Sequence, residues 1–211
     1  VELDELYTDR YITSVVESTG NREVILGNAL KLFSERGYEA VGVAELCEVS
    51  GITKPTLYHY FGSKRGLLDA IVAERGAVLR SRVLGASIYV PGDKARGVPD
   101  GLEGIALAFA ASAREDELFA RLRLALAFAP PSSEGYLAAA GLNDGLFEAV
   151  EAFFRAAAED HGNMRGRSRS YAAAFIGTVD TYVGLFLAGR IALDDQVVGQ
   201  TVRQFMYGIF S

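Results

Sequence analysis

The sequence predicts an all-α protein, with a three-helix helix-turn-helix head joined to a larger helical body. Three observations point there. Apolar residues recur at helical spacing through most of the chain, and the alternation of a half-buried strand is scarce. Gly and Pro punctuate these segments where helices begin and end. Between Val43 and Phe61, two short helical patterns flank the tight turn Ser50-Gly51-Ile52. The chain has 211 residues, of which 50% are hydrophobic and 23% charged, so a sizeable core is available and wholesale disorder is excluded.

The elements follow in order. Residues 1–20 are polar and acidic, with Glu2, Asp4 and Glu5, and read as a flexible arm. A helix begins at Asn21, which can cap it; Ile25, Ala29, Leu32 and Phe33 share one face, and Arg36-Gly37 ends it. A short second helix, Val43–Val49, turns Val43, Leu46 and Cys47 inward. Gly51 supplies a positive φ for the turn. Thr53 caps a third helix, Lys54–Phe61, whose Pro55 sits in the first turn, where its missing N–H does no harm. Gly62-Ser63 breaks the pattern, and a fourth helix runs from Lys64 to about Leu84. Pro91, Gly92, Gly97 and Pro99 mark Gly85–Gly101 as a linker or long loop. Helical segments follow at Leu102–Arg114, Glu117–Ala129, Ser133–Asp160, Arg167–Arg190 and Asp195–Phe210. The expected division is an arm (1–20), a head (21–65) and a body (66–211).

The formal net charge of −6 weakly opposes a nucleic-acid reading of the whole chain, but charge is local. From Ser50 to Arg65 the chain holds Lys54, His59, Lys64 and Arg65 and no acid. Leu57 and Phe61, four apart, can anchor the third helix to Val43 and Leu46. That leaves Lys54, Thr56, Tyr58 and His59 facing out, side chains suited to phosphates and base edges. Lys64 and Arg65 lie in the first turn of the fourth helix, where the macrodipole disfavours cations by about 0.3–1 kcal/mol each. A phosphate at that helix start would reverse the sign.

Residues Asn21–Ile71 resemble the N-terminal domain of the TetR family of bacterial transcriptional regulators. The resemblance rests on Ala29-Leu30-Lys31-Leu32-Phe33-Ser-Glu-Arg-Gly37-Tyr38, on Ser50-Gly51-Ile52-Thr53, and on Thr56-Leu57-Tyr58-His59-Tyr60-Phe61 with Lys64 and Leu67. It implies a recognition helix at Thr53–Tyr60, with base or phosphate contacts from Thr53, Lys54, Pro55, Thr56, Tyr58, His59 and Lys64. It also implies a C-terminal ligand-binding and dimerisation domain, and a repressor released from its operator by a small, largely apolar ligand. The partners expected are a double-stranded, palindromic operator, a small-molecule effector and a second copy of the chain. Val41 and Gly42 stand where the family has threonines, so Gly42 offers no hydroxyl to a phosphate. Arg65 replaces an acid or small residue, which adds it to the expected DNA contacts.

In the body, aromatic side chains are expected to wall a pocket built from Phe109, Phe128, Phe147, Tyr171 and Phe175, with Arg121, Thr178 and Tyr182 able to orient a ligand; Arg123 and Asp180 are further polar candidates. Coupling to the head is expected to run through the fourth helix. Between Tyr171 and Gly189 the only charged residue is Asp180, so that helix needs cover on both sides. The last helix also carries more than one apolar stripe, through Val197, Val198, Val202, Phe205, Met206, Ile209 and Phe210. A two-fold homodimer through both helices is expected, centred on Gly177, Gly184, Ala188, Val198, Val202 and Phe205.

Plainer readings hold elsewhere. Cys47 is a core residue, His161 ends a helix, and Arg165-Gly-Arg167-Ser-Arg169 is a solvated loop. No catalytic, metal or cofactor constellation is found. No secretory signal or unbroken membrane-spanning run is seen, so a cytoplasmic protein is expected. The chain begins at Val1 rather than Met, and the natural N-terminus is expected upstream. The competing reading is a helical interaction or orphan module on the same scaffold without ligand control.

Overall fold

A computed structural model describes residues 20–93 and 97–208, and no strand occurs among them. The acidic residues of the expected arm lie outside the described residues, as do Ile209 and Phe210. The chain divides into two compact units, one ending at Ile71 and the next beginning at Val72. The division therefore falls later than the expected boundary at residue 65.

The first unit holds α1 (20–36), α2 (Val43–Ser50), α3 (Lys54–Phe61) and the opening turns of α4 (Lys64–Ala86). Its core is one apolar residue set per helix. Ile25, Ala29 and Phe33 of α1, Leu46 of α2, Leu57 of α3, and Leu67, Leu68 and Ile71 of α4 are shut from solvent. Tyr38 closes the cluster, its ring 5.1 Å from Phe33 and edge-on. Gly51 ends α2 at φ +64°, the left-handed conformation that the turn requires. The Ile52 N–H then donates to the Cys47 carbonyl at 3.0 Å. Cys47 is buried, as its place on the inner face implied.

The second unit holds the rest of α4 with α5 (Val98–Glu115), α6 (Glu117–Ala127), α7 (Glu134–Asp160), a 3-10 turn (Gly162–Met164), α8 (Ser168–Leu187) and α9 (Asp195–Tyr207). Helix α7 packs on α6 and α8, and α5 packs on α9. Helix α5 starts earlier than its apolar pattern suggested. Pro99 falls in its first turn, where proline is welcome, and the Gly97 N–H is capped by the Asp100 carboxylate at 2.9 Å. The preceding loop is tied down as well: the Tyr89 hydroxyl and the Gly92 N–H both donate to Asp160 Oδ2, at 3.1 and 2.8 Å. Partial burial, then the Asp160 contact, push the Tyr89 hydroxyl above its ordinary pKa.

An aromatic cluster fills the centre of the body. Phe154 meets Phe153 at 5.6 Å, Tyr171 at 5.6 Å and Phe175 at 6.3 Å. Helix α9 adds Phe205, whose ring lies 5.2 Å from Phe175. Val198 and Val202 are also buried inside their own body. The outward face of α9 is polar, with Gln196, Gln200, Arg203 and Gln204 exposed. The expectation that Val198 and Val202 form a dimer interface is therefore corrected; Phe205 is half-buried. Counting apolar residues on α9 overlooked that they share one face.

Helix α8 is different. By length and composition it could cross a membrane, and only 33% of its most apolar window is buried. Its inner face carries Phe175, Val179, Asp180 and Val183. Its outer face is a row of small residues, Ala174, Gly177, Thr181 and Ala188, with Gly184 half-buried among them.

Close approach of α5 and α7 depends on Gly101: a Cβ there would sit 2.3 Å from Phe153 Cε2. We expect Gly101→Ala to lower stability by about 1–3 kcal/mol through overpacking. Gly104→Ala is the control, because its Cβ would meet only Ala86 at 3.8 Å. Urea midpoints of the two variants check this, and equal midpoints would refute the close-packing account.

Candidate nucleic-acid interface and body cleft

Helix α3 presents an acid-free surface. Leu57 is fully buried and Phe61 half-buried, which fixes the face that turns outward. Lys54 and Tyr58, and beside them Pro55 and His59, form two exposed rows at i, i+4 spacing. Tyr58 keeps 46% of its surface exposed, unusual for a large ring in a small head. Thr53 is exposed too, but its hydroxyl caps the helix by accepting from the Thr56 N–H at 3.4 Å, and the two threonine hydroxyls lie 2.9 Å apart. Thr56 is half-buried. His59 stacks edge-on against Tyr60 at 5.5 Å.

Two clamps hold α2 and the turn in place, and neither was foreseen. Asn28 Nδ2, on α1, donates to the Val49 carbonyl at 3.3 Å and to Ser50 Oγ at 3.4 Å. Arg36 at the end of α1 pairs with Glu45 of α2. A polar residue in mid-helix gives no local sign that it will bridge to a carbonyl twenty residues away.

Lys64 and Arg65 both have partners inside the chain. Lys64 Nζ turns inward and donates to the Tyr38 carbonyl at 3.1 Å and the Val41 carbonyl at 3.2 Å. It lies 4.0 Å from the centre of the Tyr38 ring. Arg65 pairs with Asp69 one turn along α4 at 2.8 Å. Each cation at this helix start already has an internal partner, so neither needs a phosphate to offset the macrodipole.

The body contains an open cleft of about 290 Å³ between α5, α6, α7 and α8. Arg123 of α6 and Asp180 of α8 are its buried charged pair, with side chains 5% and 9% exposed. They are joined by two contacts, one of 3.5 Å and the other shorter. The Arg123 guanidinium also lies 5.5 Å from the Phe109 ring centre. Arg169 sits over Phe147 at 5.3 Å, and reaches Glu151 at 3.7 Å. It belongs to the first turn of α8, not to a loop. Asn143 lines the cleft, and its Oδ1 is shut from water without a hydrogen-bond partner.

Of the expected pocket residues, Phe109 and Phe147 line this cleft, as do the polar candidates Arg123 and Asp180. The others do not. Phe128 follows the last turn of α6 and is 79% exposed. Phe175 and Tyr171 belong to the aromatic cluster. Arg121 donates to the Leu187 carbonyl at 2.7 Å, closing the end of α8. Thr178 donates to Ala174 within its own helix, and Tyr182 borders a separate, far smaller hollow. Asn143, Asp144 and Arg169 were missed as cleft residues; a lone Asn on an Ala-rich helix was the one visible sign. Among the described residues no group of His, Cys, Asp and Glu could hold a metal ion.

Comparison with known proteins agrees with this geometry. The profile described as "Bacterial regulatory proteins, tetR family" matches residues 25–71. The HTH-type transcriptional repressor ComR of Escherichia coli (strain K12) is 44% identical over 52 residues, 25% of this chain and 25% of that protein. The tetracycline repressor protein class D of Escherichia coli is 41% identical over 54 residues, 26% of this chain and 25% of that one. The match thus spans about a quarter of these curated relatives. Solved structures extend the likeness in fold. The TetR family regulator PfmR from Thermus thermophilus superposes with TM-score 0.69 at 24% identity, over 88% of this chain and 95% of its own. FadR from Bacillus subtilis, in complex with stearoyl-CoA, gives 0.70 at 16% identity, over 89% and 98%. Residues 25–71 are therefore a TetR-type helix-turn-helix head, on a chain with the fold of TetR-family regulators.

Proposed function

We propose that the protein is a cytoplasmic, sequence-specific DNA-binding regulator, a homodimer released from its operator when a small molecule occupies the body cleft. The observation that carries this reading is the face of α3. Lys54, Pro55, Tyr58 and His59 are exposed together, without an acid, on the segment that matches the family profile. Laid in a major groove, such a face offers a cation to phosphate and rings to the sugar-phosphate wall. The cleft's lining, with Arg123, Asp144, Arg169 and Asp180, is more polar than the largely apolar effector first expected.

Helix α8 supports the dimer. An apolar helix with only 33% of its most apolar window fully buried needs a partner, and the small outer row lets a second backbone come close. Pairing of α8 with its two-fold mate would present two copies of α3 to half-sites about 34–36 Å apart, or further.

Lys54→Ala and Tyr58→Ala should each weaken operator binding at unchanged melting temperature. Lys54→Ala should also flatten the salt dependence of log K by about 0.9, one lost phosphate contact. Lys64→Met should behave oppositely, lowering stability by about 1–3 kcal/mol because two carbonyls lose a charged donor, while the salt slope holds. Binding titrations at several salt concentrations separate the two, and a flattened slope for Lys64→Met would return that lysine to the phosphate contacts. For the dimer, Gly177→Glu introduces a charge where a Cβ meets nothing within 4 Å, so the fold should survive. Light scattering should then give the 22.7 kDa of one chain instead of twice that. A dimeric Gly177→Glu variant would move the interface off α8.

A further inference from the structure

We propose that the body cleft selects a small, uncharged aromatic amide or lactam, read by the carboxamide of Asn143; this rests on the cleft being the effector site. The cleft brings Arg123, Arg169, Asp144 and Asp180 around Phe109 and Phe147, and Asn143 is its only uncharged polar side chain.

Charge on the ligand is disfavoured by the pair at its base. Arg123 and Asp180 are buried against one another, and each compensates the other. An anion drawn to Arg123 would leave Asp180 opposed only by a shared cation. A cation drawn to Asp180 would do the same to Arg123. Both outcomes strand a charge in a poorly solvated place. Arg169 offers little to reverse this, because it is 80% exposed and screened by water.

The unmet demand in the cleft is neutral. Asn143 Oδ1 is buried and has no partner, a state that costs free energy until a donor arrives. The terminal torsion of Asn is broad, so a small turn brings the carboxamide edge to a ligand. That edge carries an acceptor and a donor in one plane. Its natural complement is another carboxamide or a lactam, which returns both hydrogen bonds and adds no charge. Phe109, Phe147 and Ile176 supply apolar walls for a flat ring. At about 290 Å³ the space lies at the small end of ligand clefts, which suits one or two rings.

Calorimetry on the full chain without DNA tests this with a matched set: benzamide, benzoate, benzamidine, toluene and stearoyl-CoA. Benzamide should bind at least tenfold more tightly than the other four. Asn143→Leu, of similar size and a better helix former, should keep the parent's melting temperature and lose that preference, binding toluene at least as well as benzamide. Tightest binding of benzoate, benzamidine or stearoyl-CoA overturns the proposal. So do equal affinities for benzamide and toluene, an unchanged preference in Asn143→Leu, or no binding of benzamide at millimolar concentration. Operator binding is measured separately, without compound. Its failure would remove the regulator reading and leave the amide preference standing.

Discussion

A carboxylate buried on an apolar helix constrains everything around it. Asp180 sits midway along α8, and its charge in the body's interior is tolerable only because Arg123 of α6 meets it there. Removing either partner would leave the other stranded, at a cost of about 3–5 kcal/mol. The pair therefore sets the rotation of α8. With Asp180 turned inward, Phe175, Val179 and Val183 join the core, and the small residues are left outside. The same rotation carries Ile176 to the cleft. Core, cleft and outer row are three consequences of one ion pair.

The head follows a different logic, in which backbone groups decide. Its loops are short, and several carbonyls and N–H groups near helix ends find side-chain partners. Thr53 caps α3, Ser63 accepts from the Gly66 N–H at 2.9 Å, and Asn28 and Lys64 serve the carbonyls around α2. These contacts hold α3 by its surroundings, so its outer side chains are not needed by the fold. Residues such as Lys54 and His59 are free to be chosen for what they touch.

Local chemistry was legible in the sequence, and tertiary partnership was not. The bounds of α3 could be read because a threonine cap, a first-turn proline and a following glycine lie within a few residues of each other. The apolar pattern starts α5 too late because Pro99 reads as loop punctuation, when its place in the first turn is equally good chemistry. The internal partners of Lys64 escape the sequence because a lysine beside DNA and a lysine beside two carbonyls look alike in a string of letters. Helix α9 was read by the number of its apolar residues, when their phase about the axis assigns them to the core. Phe128 shows the converse, a large ring that the fold leaves in solvent. The cleft is half visible in the sequence: Phe109, Phe147, Arg123 and Asp180 can be named, but Asn143, Asp144 and Arg169 join them only because particular faces of α6, α7 and α8 converge.

The outer row of α8 has a consequence for the company the chain keeps. A seam of Ala, Gly and Thr recognises by shape, since it works only when two backbones come within a few ångströms of each other. A related chain presenting Leu or Phe at those positions would hold the helices apart and forfeit the dispersion contacts that a close seam supplies. If the proposed dimer forms through this row, self-pairing is favoured over mixing with look-alikes.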